Sequence, residues 1–121
     1  MEIPRPTEAD VEFFRSTVPD ESGIEVRPMF GNLGAFVNGN MFSGLFGSDV
    51  GVKVSDADRT QLEQVDGTGP YGPSERPMSG WTTLPASWRR QPEQVTEWMG
   101  RAYAHVSTLP PKKPKAAKKS R

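Results

Sequence analysis

The sequence predicts an α+β fold: a two-layer domain in which an antiparallel meander of about five to six strands is packed by three helices. Three observations carry that expectation. Residues 27–54, RPMFGNLGAFVNGNMFSGLFGSDVGVKV, alternate apolar residues with small or polar ones between Asn-Gly and Gly-Ser-Asp turn signals. A capped amphipathic segment precedes them. The most regular helical stripe of the chain follows them, with Val95, Trp98, Met99, Ala102 and Val106 at steps of 3, 1, 3 and 4.

The elements follow in order. Thr7-Glu8-Ala9-Asp10 reads as a capping box with Asp in the place of the usual Glu, after Pro4 and Pro6. Val11, Phe14 and Val18 then recur at helical spacing, Phe13 widens the apolar stripe, and the helix is expected to end near Pro19. Ile24 and Val26 begin a first strand, and Pro28 suits an edge position or a strand end. Leu33, Ala35 and Val37 form the second. Asn38-Gly39 tolerates the positive φ of a type I′ hairpin. On the returning strand, Met41, Ser43 and Leu45 are expected on one face and Phe42, Gly44 and Phe46 on the other. Gly47-Ser48-Asp49 turns the chain again into Val50, Val52 and Val54.

Ser55-Asp56-Ala57-Asp58 caps a second helix, with acids where the helix dipole favours them. Leu62 and Val65 mark its buried side and Gly67 ends it. DGTGPYGPSERP, Asp66 to Pro77, is a long Gly/Pro loop of the kind that is often functional or mobile. Met78 to Leu84 reads as a last strand. Pro92 then suits the first turn of the terminal helix, which should cover one sheet face and end near Leu109. Gly34, Gly44 and Gly51 fall inside strand patterns, where glycine weakens a strand unless something needs the space. Room for the rings of Phe36, Phe42 and Phe46, or for a helix across the sheet, is the expected reason; close approach of a ligand is the alternative.

At 121 residues the chain has room for one domain, expected over residues 1–109. Charge is segregated along it. Residues 110–121 hold six cations, Lys112, Lys113, Lys115, Lys118, Lys119 and Arg121, and no acid. The remaining nine cations face fifteen acids, so residues 1–109 carry a net charge of −6. The Lys/Pro/Ala-rich tail cannot form a core and is expected to be disordered. Six cations could contact phosphates, with a log–log salt slope of roughly −4 to −5 if all engage.

Cysteine is absent, which removes disulfides and thiolate chemistry together. No secretory signal and no apolar run long enough to span a membrane occur, so a cytoplasmic location is expected. The sole histidine, His105, lies beside the apolar stripe of the last helix and reads as a packing residue. No G-x-S-x-G, G-x-G-x-x-G or Walker lysine pattern occurs. Asp56 and Asp58 lack the glycine and bidentate glutamate of a calcium loop. The expectation is a non-enzymatic protein with no catalytic residues, no metal and no cofactor.

Arg27-Pro28-Met29-Phe30-Gly31, then Gly34-Ala35-Phe36-Val37-Asn38-Gly39-Asn40-Met41-Phe42, resembles the N-terminal domain of the TfoX/Sxy competence-regulator family. The similarity continues through Val50 to Val54, Met78 to Trp81 and the helix around Trp98 to Ala104, covering most of residues 8–107. The resemblance implies a small α+β domain with helices on an antiparallel sheet. It also implies a non-enzymatic role in bacterial transcriptional regulation, in which family members act with other proteins. It implies no catalytic residues: the matching motif, Arg27, Pro28, Met29, Phe30, Gly31, Asn38 and Gly39, looks mainly structural. Competence regulators of this kind carry a second, helical domain, so this sequence resembles a stand-alone copy of the first.

The leading expectation is therefore a regulatory interaction module whose partner is a protein of the transcription machinery, a transcription factor or polymerase component. The alternatives are a nucleic-acid-associated accessory protein anchored by its basic tail, and a small-ligand binder or enzyme. The last would be marked by a pocket lined by Arg27, Tyr71, Arg76 and Trp81.

Overall fold

Local chemistry starts each helix. In the computed structural model, which describes residues 3–29 and 31–111, helix α1 (Glu8–Thr17) opens on the expected capping box. The Asp10 N–H donates to Thr7 Oγ1 at 3.1 Å, and the Thr7 N–H donates to Asp10 Oδ2 at 2.8 Å. The shorter aspartate thus closes the box that a glutamate usually closes. Helix α2 (Asp56–Leu62) is capped by the Ser55 hydroxyl, which accepts from the Asp58 N–H. Helix α3 (Pro92–Ser107) starts with Pro92 in its first turn and buries Val95, Trp98, Met99, Ala102 and Val106. Those five are the whole of the stripe that its periodicity marks.

Five strands form one antiparallel sheet in chain order: β1 (Ile24–Met29), β2 (Asn32–Val37), β3 (Asn40–Phe46), β4 (Asp49–Lys53) and β5 (Trp81–Thr83). Asn38 (φ 54°) and Gly39 (φ 81°) make the β2–β3 turn, both in the left-handed region that Asn-Gly supplies at low cost. Pro28 lies on β1, an edge strand, where a missing N–H is tolerated.

One face of the sheet is roofed by helices. Helix α3 crosses β2, β3 and β4, α1 packs on α3 and β3, and α2 meets β5. The core between the layers holds Phe14, Ala35, Val37, Phe42, Val52, Leu62, Met99 and Val106, among others. Polar contacts fix the roof: Thr96 Oγ1 donates to the Thr17 carbonyl, and Arg101 reaches Asp58 at 3.2 Å while lying over the Trp98 ring.

Three features depart from the sequence pattern. Strand β3 does not alternate throughout. Ala35 pairs with Ser43 but Phe36 pairs with Met41, so Phe42 is an extra residue in a β-bulge. The bulge turns Phe42 onto the helix side, edge-on to Tyr103 at 5.7 Å, while Phe46 meets Tyr71 on the opposite face. Phe42 therefore does not share a face with Phe46. A five-residue 3-10 helix, Ala86–Arg90, also buries Trp88, and a segment that short leaves no periodicity to read. The last strand is shorter than its pattern, because Gly80 (φ 83°) turns the chain just before it. Phe30, and Lys112, Lys113, Lys115, Lys118, Lys119 and Arg121 of the tail beyond Pro111, lie outside the described residues.

Candidate functional site

The sheet face away from the helices is built on glycine. Gly34 pairs with Gly44 and Gly44 with Gly51, so the three lie side by side across β2, β3 and β4. This lane without side chains is occupied by Tyr71, delivered by the 66–77 loop. A Cβ at Gly51 would collide with Tyr71 Cδ1, and one at Gly44 would stand 2.6 Å from Tyr71 Oη. The phenol thus runs along the lane from β4 toward β2. At Gly34 the space is taken by Met41 Sδ and the Phe36 ring. The glycines make room for rings, as expected, but the principal ring is Tyr71.

The loop is docked on the sheet. Gly69 and Thr83 exchange backbone hydrogen bonds, Thr83 Oγ1 donates to the Pro70 carbonyl, and the Met78 N–H donates to the Tyr71 carbonyl at 2.9 Å. Trp81 backs the Tyr71 ring as an offset stack, centroids 5.2 Å apart and planes 21° apart, while Phe46 meets it edge-on at 6.0 Å.

Between this loop and the β1–β3 side of the sheet lies a cavity of about 380 Å³. Met29, Met41, Met78, Leu45, Phe46 and Tyr71 form much of its wall, and Ile3 stands at the rim. Three of the chain's five methionines thus line one cavity. The rim is held by Asn32, which is buried: its Nδ2 donates to the Pro4 carbonyl at 3.0 Å, and its Oδ1 accepts from the Gly47 N–H at 2.8 Å. That amide ties residues 3–6 to the β3–β4 turn.

Among the described residues no acidic or basic side chain lines the cavity. Its polar group with hydrogen-bonding capacity to spare is the Tyr71 hydroxyl. Tyr71 is 4% exposed, and no hydrogen bond to Oη occurs among the described residues. Burial, and secondarily the negative charge of Asp49, raises its pKa well above the usual phenol value. The group stays a neutral O–H throughout the physiological range.

The singled-out residues are dispersed. Arg27 lies with its guanidinium 4.0 Å over the Phe36 ring and 3.5 Å from Glu25. Pro28 faces Leu33 across β1 and β2, Gly31 (φ 81°) turns the chain between those strands, and Asn38 and Gly39 turn it at the other end. Of the motif's described residues, Met29 alone lines the cavity. Of the four residues named for a pocket, Tyr71 lines it and Trp81 supports Tyr71 from behind, whereas Arg27 and Arg76 are outside it. His105 is half-buried on α3. Among the described residues no cluster of three or more His, Cys, Asp or Glu side chains is placed to hold a metal ion. The cavity escaped sequence reading because its methionines are scattered over β1, β3 and the loop. The in-strand glycines were the one usable signal.

No curated protein matches the sequence. The family model of the TfoX N-terminal domain matches residues 18–106, from the end of α1 to near the end of α3, which takes in the entire sheet, its glycine lane and most of the cavity wall. The chain belongs to the TfoX N-terminal domain family.

Proposed function

We propose that this chain is a non-enzymatic regulatory module that works by binding a protein partner, with the transcription machinery as the partner class and the cytoplasm as its compartment. The family membership carries the reading. A feature of the fold is compatible with it: β1 ends the sheet, so its outer backbone edge has no strand partner among the described residues, and such edges can take an added strand. Val26 and Ile24 on that strand are only half-buried, which leaves apolar surface beside the edge. The test is retention from a bacterial lysate on the immobilised chain. The expected result is saturable capture of RNA polymerase or a transcription factor, competed by free chain. Absence of any saturable, competable partner of that class defeats the reading.

The charge segregation of the sequence supports a second reading, an accessory protein that touches nucleic acid through Lys112, Lys113, Lys115, Lys118, Lys119 and Arg121. It calls for sequence-indifferent DNA binding that weakens steeply with salt and is lost on deletion of residues 110–121. Equal affinity with and without those residues removes it.

A further inference from the structure

We propose that the cavity under the 66–77 loop is a binding site for a small, uncharged, largely apolar molecule carrying one hydrogen-bond acceptor, such as a carbonyl oxygen. This goes beyond the reading above and does not depend on it. Four observations converge.

Size comes first. A volume of about 380 Å³ falls in the range of small-molecule sites. At the volume of liquid water it corresponds to about a dozen waters, so a compact one- or two-ring molecule is of the right scale.

Lining chemistry comes second. Among the described residues the wall is apolar and contains no charged group, so an ion entering it would lose its hydration with nothing there to replace it. Methionine supplies half of the named wall. Its unbranched thioether adapts to a guest's shape and contacts aromatic rings favourably, which suits ligand binding better than rigid packing.

The third observation is the Tyr71 hydroxyl. The ring is fixed by Trp81 behind it, Phe46 at its edge and the two glycines beneath it. Its Oη ends over Gly44 on β3, the strand that also brings Met41 to the wall. Its O–H has no hydrogen-bond partner among the described residues, yet Oη is not sealed from solvent as Thr82 Oγ1 is, so the hydroxyl faces open space. Because burial keeps it protonated, it is a donor as well as an acceptor, and a guest acceptor would complete it.

Fourth, the rim is a built feature. The buried Asn32 amide spends both of its bonding ends, on Pro4 and Gly47, in holding residues 3–6 at the mouth. Ile3, the exposed large apolar side chain among the described residues, is thereby placed beside the opening, where it can cover a guest.

The test uses the full chain and prodan, an uncharged naphthalene ketone whose emission moves to the blue in apolar surroundings and to the red when its carbonyl accepts a hydrogen bond. The expected result is saturable one-to-one binding with blue-shifted emission. The anionic dye anilinonaphthalene sulfonate should bind at least tenfold more weakly. Met41→Trp, which fills the cavity, should weaken prodan at least tenfold. Tyr71→Phe keeps the ring stack and should weaken it roughly threefold to tenfold, moving the bound emission further to the blue. Should Met41→Trp fail to fold, Tyr71→Phe decides alone. The proposal is overturned by non-saturable binding, by equal affinity for the sulfonate dye, or by an unchanged affinity and emission in Tyr71→Phe. A dimer of the free chain that prodan dissociates would make a second copy the occupant, and also overturns it.

Discussion

The two faces of this sheet are finished in different ways. Under α3, aliphatic and aromatic side chains from three helices and four strands close into a continuous core, with Phe14, Phe42, Met99 and Val106 fully buried. On the other face three aligned glycines bear no side chains, one tyrosine is laid over two of them, and a cavity persists beside it. The first arrangement maximises buried apolar area and contact. The second holds a single aromatic ring in a fixed place, packed by Trp81 and Phe46, and leaves open space beside it. The helix face is where stability resides, and the loop face is where a guest can be received.

Truncation at neighbouring residues is the strongest way to break this contrast. Phe42→Ala, on the helix side, is expected to lower the unfolding free energy by about 3–5 kcal/mol. Met41→Ala, one residue earlier but across the sheet, should cost about 1 kcal/mol or less. Urea denaturation with an unchanged m-value measures both. Equal costs would mean that the faces do not differ.

The glycine lane gives the next effect. Gly51→Ala drives a methyl into the Tyr71 ring and should cost about 1–3 kcal/mol. In a Tyr71→Ala background that penalty should largely vanish, since the obstructing ring is gone. Gly100 on α3 is the control, because a Cβ there meets nothing within 4 Å. Gly100→Ala should stabilise by roughly 0.5–1 kcal/mol through helix propensity alone.

Acid titration tests the helix layer. Asp10 is buried; the hydrogen bond from the Thr7 N–H, opposed by burial and aided by the Thr7 hydroxyl and by Arg89 at 3.0 Å, holds its carboxyl below the usual value. The unfolded chain therefore takes up this proton more readily than the folded one. The carboxylate's contribution is complete above the unfolded value of about 3.9 and disappears as pH falls through the lower folded value. Asp10→Ala should cost about 1–2 kcal/mol at pH 7, and the difference should shrink on acidification below about pH 4. A cost that grows on acidification contradicts the assignment.

The last effect, like that of Gly100→Ala, is a small stabilisation. Thr82 Oγ1 is buried without a hydrogen-bond partner among the described residues. Thr82→Val should raise stability by about 1 kcal/mol, read as an increase of a few degrees in Tm.

Elements with local causes were legible. The Thr7/Asp10 box, the Ser55 cap, the Asn38-Gly39 turn and the α3 stripe each depend on residues within a few positions of one another, and each appears where its pattern lies. The bulge did not announce itself. A two-residue turn at Asn38-Gly39 would set Gly34 opposite Ser43 if the pairing ran on unbroken. The extra residue at Phe42 shifts it by one and brings Gly34 beside Gly44. No side-chain preference in β3 specifies that slip. It places Phe42 in the core under α3, a gain realised only once the helix is docked.

The chain's own residues therefore determined where helices, turns and most strands lie, because caps, turn dihedrals and apolar periodicity act over a few residues. Tertiary structure alone decided which ring entered the glycine lane and that three distant methionines share a cavity. Tyr71 comes from a loop with no period, and its place depends on β5, on Trp81 behind it and on a register set by the opposite face. Such a site is defined by the spacing of surfaces in three dimensions, and adjacency along a chain does not encode that spacing.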